Sequence, residues 1–325
     1  MKTIYKVMTT AVLTGALVGG GVWSAAQAAP AQKSTTKSAP ASVNTNKAGV
    51  KSVSHQNISL GISKVTYDGN VVLLEVQRDG KGLIGGITDS KWDDQKDERI
   101  LEKGAISTIE LFINGVSVNT YGGSNLWERP SLSWEAGSTK DKVLISMADA
   151  TWLGEKASLK ALPDQFKLTA KIKLEGVNEL YTLDIPVQKE AGSALKLSPN
   201  LTKKSGDLSM TLKKASVTSQ STRLQLIVKG QEANSTILYD FYDDQGKRID
   251  TISGGRGTDE NGAKGVMYND FLLNTQGKAL KSITVKPFKP VFAEPGATSG
   301  QFKVDDKGDV VKEYIQDLEM NLKIK

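Results

Sequence analysis

From residue 57 onwards, apolar and polar residues alternate with period two, the mark of strands that bury one face and wet the other. Ile58, Leu60 and Ile62 open the pattern, and Val65 and Tyr67 continue it after a shift of one residue. Asp68-Gly69-Asn70 is a hairpin turn into residues 71–78. Residues 106–113 run to Asn114-Gly115, the strongest short hairpin signal, and residues 116–118 return from it. Phe166, Leu168, Ala170, Ile172 and Leu174 alternate strictly, and Leu183, Ile185 and Val187 follow the turn at Gly176.

Lys189-Glu190-Ala191-Gly192-Ser193 reads as a joint, and beyond it the pattern restarts. Leu208, Met210 and Leu212 lead to Val217, and a polar turn precedes Leu224, Leu226 and Val228. Ile237, Tyr239 and Phe241 meet the turn Asp243-Asp244-Gln245-Gly246. Ile283 and Val285 form a short strand, and Leu318, Met320, Leu322 and Ile324 form another. Helical periodicity is nearly absent, with short helical turns expected only at 92–101 and 311–315. Short, regularly spaced strands with Gly and Asx turns predict an all-β chain of two tandem immunoglobulin-like antiparallel β-sandwich domains, 55–190 and 191–325.

The N-terminal residues follow other rules. Lys2 and Lys6 form a positive patch before a short apolar stretch over 7–18, and Ala26-Gln27-Ala28 supplies small residues ahead of Ala29-Pro30. That layout predicts a signal peptide over 1–28, cleaved between Ala28 and Ala29. The apolar run is shorter than the ~20 residues a spanning helix needs, so no transmembrane segment is expected in the mature chain. Residues 29–54 are rich in Ala, Ser, Thr, Lys, Asn and Pro and are expected to be a disordered tether.

Charge changes the picture less than the formal +6 implies. Of 42 basic residues, seven lysines precede Asp68, where no acidic residue stands, leaving 35 basic against 36 acidic. The folded part is close to neutral, which argues against nucleic-acid binding, a function that places positive charge on a folded face. Residues 68–190 carry an acidic excess and 191–325 a basic one, opposite signs that favour docking of the two domains. Cysteine is absent, so disulfides, thiol nucleophiles and thiolate metal sites are excluded.

Residues 62–78 resemble the opening hairpin of an uncharacterised extracytoplasmic domain of endospore-forming Gram-positive bacteria. Residues 208–230 and 239–249, with the turn Asp244-Gln245-Gly246-Lys247, resemble the immunoglobulin-like domain that often follows it. The resemblance implies the outer part of surface proteins similar to anti-sigma factors, and it brings no catalytic residues. Only six residues precede the apolar run here, so no cytoplasmic sigma-binding domain is expected.

Candidate chemistry is sparse. The only histidine, His55, falls at the end of the expected tether, a poor place for a general base, and zinc lacks ligands. The glycine-rich run over 253–265 fails the phosphate-loop pattern because Ala263 separates Gly262 from Lys264, and it reads as a flexible loop. The acidic groups Asp89, Asp93, Asp94, Asp97 and Glu98, and Asp305, Asp306 and Asp309, lack calcium-loop order and read as solvated turns. Trp92, Trp127, Trp134 and Trp152 all fall in the first domain. Trp134, between alternating neighbours, is expected in the core, whereas Trp92 and Trp127 are candidate glycan contacts through ring stacking.

These readings predict a non-enzymatic exported protein without a cofactor, acting as an interaction or sensory-accessory module at the cell surface. Its partner would be an unidentified cell-envelope protein or wall polymer. A cell-wall or polysaccharide-binding module is the first alternative, and a hydrolase using two carboxylates is the second.

Overall fold

The computed structural model describes residues 43–46, 50–93, 95–123, 125–154, 158–192, 194–232, 235–257 and 266–324. The expected signal peptide and its Ala28–Ala29 cleavage point lie outside the described residues. No helix among the described residues is long and apolar enough to cross a membrane.

Among the described residues, the first half of the chain contributes twelve strands. They are β1 (Val43–Asn46), β2 (Val50–His55), β3 (Ile58–Tyr67), β4 (Val72–Gly80), β5 (Ser90–Asp93) and β6 (Glu98–Leu101). There follow β7 (Ile106–Ile113), β8 (Val116–Ser117), β9 (Ser131–Ala136), β10 (Lys142–Ala148), β11 (Gln165–Leu174) and β12 (Tyr181–Gln188). A sheet in the order β1-β2-β3-β4-β10-β9 faces one in the order β12-β11-β7-β8, and all pairings are antiparallel. Leu60, Leu74 and Ile145 of the first sheet share one core with Leu111, Leu168 and Leu183 of the second. In β11 and β12 every second residue is buried, as the alternation requires.

The second half adds β13 (Leu195–Leu197), β14 (Leu201–Ser205), β15 (Leu208–Val217), β16 (Ser221–Lys229) and β17 (Leu238–Asp243). It continues with β18 (Thr251–Gly257), β19 (Val266–Asn274), β20 (Ser282–Pro290), β21 (Lys312–Tyr314) and β22 (Met320–Lys323). The order β13-β15-β16-β19-β18, with β14 also on β15, faces β17-β20 with β21 and β22 beyond β20. Leu212, Leu226 and Leu273 meet Phe241, Val285 and Met320 in a second core.

The two sandwiches repeat one plan. The order β3-β4-β10-β9 recurs as β15-β16-β19-β18, and β12-β11-β7 recurs as β22-β20-β17. The register recurs as well: Ser59 faces Asp79, and 150 positions later Ser209 faces Lys229. A bulge between Ile62 and Lys64 has its counterpart between Leu212 and Lys214, at the same offset. Position n in the opening hairpin of the first sandwich is therefore position n plus 150 in the second.

Four expectations are corrected. The tether expected over 29–54 is partly sheet, since β1 pairs with β2 and β2 with β3. Gln56 and Asn57, with φ of 49° and 63°, make the tight left-handed turn that joins β2 to β3, and Val53 packs on the first core. The helical turns expected at 92–101 and 311–315 are instead the β5–β6 hairpin and β21. The glycine-rich run begins as strand β18, paired with β19, while residues 258–265 lie outside the described residues. Trp134 is 37% exposed on β9 rather than in the core. It lies opposite Ile145, but β9 is the last strand of its sheet.

Candidate functional site

Trp92 stands on β5 opposite Arg99 and is 59% exposed, in a two-stranded sheet of its own with β6. Its hairpin is laced by ion pairs from Lys91 to Glu102 at 2.8 Å and from Lys96 to Glu98 at 3.6 Å. The backbone of Trp127 belongs to a 3-10 turn, Leu126–Glu128, and its side chain lies outside the described residues.

His55 is held in place. Its ring meets the edge of Tyr181 at 4.9 Å, and the Tyr181 hydroxyl donates to the Ile58 carbonyl at 3.0 Å. Burial, with Glu179 beside it, pushes the Tyr181 hydroxyl up to about 12. The acidic groups are occupied with turns: Asp89 accepts from the Gly86 amide, Asp93 from Gln95, and Asp305 from Lys307 and Asp309. Those last two backbone bonds hold the Asp305 carboxyl below its usual range. No group of three or more metal-ligating side chains is found among the described residues.

The densest polar arrangement lies where the sandwiches meet. Arg223 on β16 is 1% exposed and forms a fork with Asp270 on β19, with Nε to Oδ1 at 2.9 Å and Nη2 to Oδ2 at 2.6 Å. The same guanidinium crosses to the first sandwich, where Nη2 donates to the Asp149 carbonyl and Nη1 lies 3.3 Å from Asp149 Oδ1. Asp149 Oδ1 also accepts from the Thr151 amide and hydroxyl. The Trp152 ring lies 4.9 Å from Arg223 and 4.5 Å from Lys214 Nζ, two cations of the second sandwich. Burial pushes the Asp270 carboxyl up, against the pull of Arg223.

A second polar knot joins the opening turns. Asp68 Oδ2 accepts from the hydroxyls of Thr218 and Ser221, each at 2.6 Å, while Oδ1 accepts from the amides of Asn70 and Val71. Asn70 Nδ2 donates to the Ser216 carbonyl at 3.0 Å and to Ser221 Oγ at 3.1 Å. Val71, Ala148 and Leu272 form an apolar cluster beside these bonds.

Elsewhere in the second sandwich, Asp240 is 1% exposed and is served by Lys312 Nζ at 2.6 Å and the Tyr314 hydroxyl at 2.7 Å. Arg248 approaches its other oxygen at 3.3 Å without a hydrogen bond. At the end of β15 away from the opening turns, a cleft of about 600 Å³ is lined by Asp207, Glu232, Glu313, Asp317, Lys289 and Tyr314.

Of the joint residues, the sequence marked Asp68 and Asn70 only as a hairpin turn and Trp152 only as a tryptophan of the first domain. A faint signal existed: Arg223 and Asp270 are charged residues in β16 and β19, strands that are buried along most of their length.

Strand plan and joint define a class, an all-β protein of two antiparallel sandwiches fused through a buried polar contact. Residues 195–324, the second sandwich, match the profile of a family of unknown function, DUF5643. Among solved structures, the chain is similar to "the conserved domain protein from Bacillus anthracis" at 12% identity, covering 88% of this chain and 92% of that one, with a TM-score of 0.49. It is also similar to bovine butyrophilin at 11% identity, covering 81% of this chain and 95% of that one, with a TM-score of 0.21. No curated protein matches the chain.

Proposed function

We propose that this chain is an exported, non-enzymatic interaction module of the Gram-positive cell envelope, and that both sandwiches are immunoglobulin-like. The strand orders support the second statement, because they follow the A-B-E-D and C-F-G arrangement of immunoglobulin sandwiches. The observation that carries the first is the joint. Its buried charges, Arg223, Asp270 and Asp149, are satisfied by one another at the contact between the sandwiches. Export rests on Lys2, Lys6, the apolar stretch and Ala26-Gln27-Ala28. The test is expression in a Gram-positive host, followed by fractionation, N-terminal sequencing and cross-linking of the native envelope. The reading expects an extracytoplasmic protein beginning at Ala29 and a cross-linked envelope partner. Retention in the cytoplasm, or turnover of a wall polymer by the purified protein, would remove it.

A wall-glycan surface is the second reading, favoured by the exposure of Trp92 on a hairpin outside both cores. Sedimentation with isolated walls tests it, since Trp92→Ala should release the protein from the pellet.

A further inference from the structure

The contacts between the sandwiches pair equivalent elements. The opening turn of the first, Asp68 to Asn70, meets the opening turn of the second, Thr218 to Ser221. Asp68 and Thr218 are themselves counterparts at the 150-residue offset, and they bond to each other. Ala148, at the end of β10, packs with Leu272 of the equivalent strand β19. Strand β18 touches β9, again its counterpart. A contact in which like meets like is the geometry of a two-fold interface, here formed within one chain.

Two glycines support this independently. Gly255 and Gly257 lie in the regular strand β18, and neither has the positive φ that calls for glycine. A Cβ on Gly257 would stand 1.9 Å from the Leu153 carbonyl oxygen, and one on Gly255 would stand 3.0 Å from Leu153 Cδ2. Leu153 belongs to the other sandwich, so what these positions accommodate is the joint and not their own strand.

We propose that the face of the second sandwich formed by β16, β18 and β19 is a dedicated docking surface for the first sandwich, so that the tandem moves and unfolds as one body. The matched family region thus carries, in Thr218, Arg223, Gly257 and Asp270, residues whose surroundings are completed by the neighbouring sandwich. Arg223 is the asymmetric centre of the contact: Asp270 neutralises it from its own sheet, and Asp149 and Trp152 close the remaining sides from across the joint. Only the physical coupling of the sandwiches is at stake, whatever the protein binds or wherever it is exported.

The chain has no cysteine, so Lys140→Cys and Lys204→Cys, both at exposed positions, take spin labels without background. In the full chain the inter-label distance distribution should be narrow and calorimetry should show one transition. Gly257→Leu drives a wedge against Leu153 without entering either core. It should broaden the distances and split the melt into two transitions at least about 5 °C apart. Gly255→Ala should do the same more weakly, and Gly192→Ala, with open space around its Cβ, should change nothing. Broad distances or two transitions in the unaltered chain would overturn the proposal. So would a folded Gly257→Leu variant that keeps the parent behaviour. Should Gly257→Leu lose its sheet signal, Gly257→Ala decides, since its Cβ meets the Leu153 carbonyl oxygen: distances unchanged from the parent would refute the coupling.

Discussion

Position 73 in the first sandwich and position 223 in the second occupy the same place in the same hairpin, yet one is Leu and the other Arg. Leu73 packs beside the small apolar cluster at the joint, while Arg223 supplies its buried charge. The neighbouring pairs diverge in the same way: Asp68 against Thr218, Val71 against Ser221, Glu75 against Gln225 and Arg78 against Val228. Residues facing the cores are conservative by comparison, with Leu60 against Met210, Ile62 against Leu212 and Leu74 against Leu224. A sandwich core asks only for apolar volume at alternate positions. A two-fold contact between unequal halves needs complementary partners, so the divergence is concentrated where the halves meet or where one half carries a private feature.

Arg78 and Val228 give the sharpest contrast. Arg78 is 1% exposed and donates to the Gly104 and Gly85 carbonyls, each at 2.7 Å, as well as to Asp141. Val228 fills the same position with apolar volume alone. Arg78→Ala leaves two carbonyls short of a donor and opens a cavity, and should cost about 3–5 kcal/mol of stability in denaturant unfolding. Val228→Ala should cost about 1–2 kcal/mol, the cost of lost methyl groups. Equal losses would show that the buried guanidinium acts only as filler.

Next in size is Asp68, whose carboxylate gathers two backbone amides of its own turn and two hydroxyls from across the joint. Asp68→Ala should cost about 2 kcal/mol, whereas Thr218→Ala, removing one hydroxyl from the same knot, should cost about 1 kcal/mol. The double variant should lose less than the sum, because the two share a bond. Additive losses in a thermal melt would mean that the opening turns do not sense each other.

Asp240 has no joint to serve, yet it is as buried as Arg223. Lys312→Met removes its strongest cation but leaves the Tyr314 hydroxyl and the nearby Arg248. The expected loss is about 1–3 kcal/mol, with no change in inter-sandwich distance, since the cluster lies on β17 and β21. A change in that distance would show that this region is coupled to the joint.

What the sequence revealed follows the same division. Strands β11 and β12 were legible because each has one wet face, so polarity alternates residue by residue. Strand β2 was not, because its stability comes from backbone pairing to β3 and from a turn, Gln56-Asn57, that is not one of the usual hairpin pairs. The β5–β6 hairpin was hidden by its charges, which read as solvated turn and helix. Trp92, the candidate glycan contact, is exposed, whereas Trp134, expected in the core, is not there, since alternation alone cannot say that a strand is the last in its sheet. The joint was illegible because its hydrogen-bonded partners stand far apart in the chain, 73 residues for Gln225 and Trp152 and 153 for Asp68 and Ser221. The opposite charge excess of the two halves hinted at it, as did the charged Arg223 and Asp270 within buried strands.

The smallest effect concerns acid. Glu75 accepts from Lys142 Nζ at 2.7 Å and from the Ser63 hydroxyl, and these two bonds, led by Lys142, hold its carboxyl below the usual glutamate range. A carboxyl lowered by folding stabilises the native state above its unfolded pKa, and that contribution is lost as pH falls through the lowered value. The side chain is 23% exposed, which limits the contribution to under about 1 kcal/mol. Its counterpart Gln225 has no charge to lose and instead donates to the Trp152 carbonyl across the joint. Glu75→Gln should therefore lower stability slightly at neutral pH and flatten the acid limb of the stability curve below about pH 4. Gln225→Glu should reduce neutral-pH stability as well, by replacing the donor to the Trp152 carbonyl with a carboxylate on the strand that carries Arg223, which Asp149 and Asp270 already pair. That loss should shrink as the pH is lowered. A glutamate that loses stabilisation in acid at position 75 but is relieved by acid at position 225 would mark the point at which a shared framework acquired two separate roles.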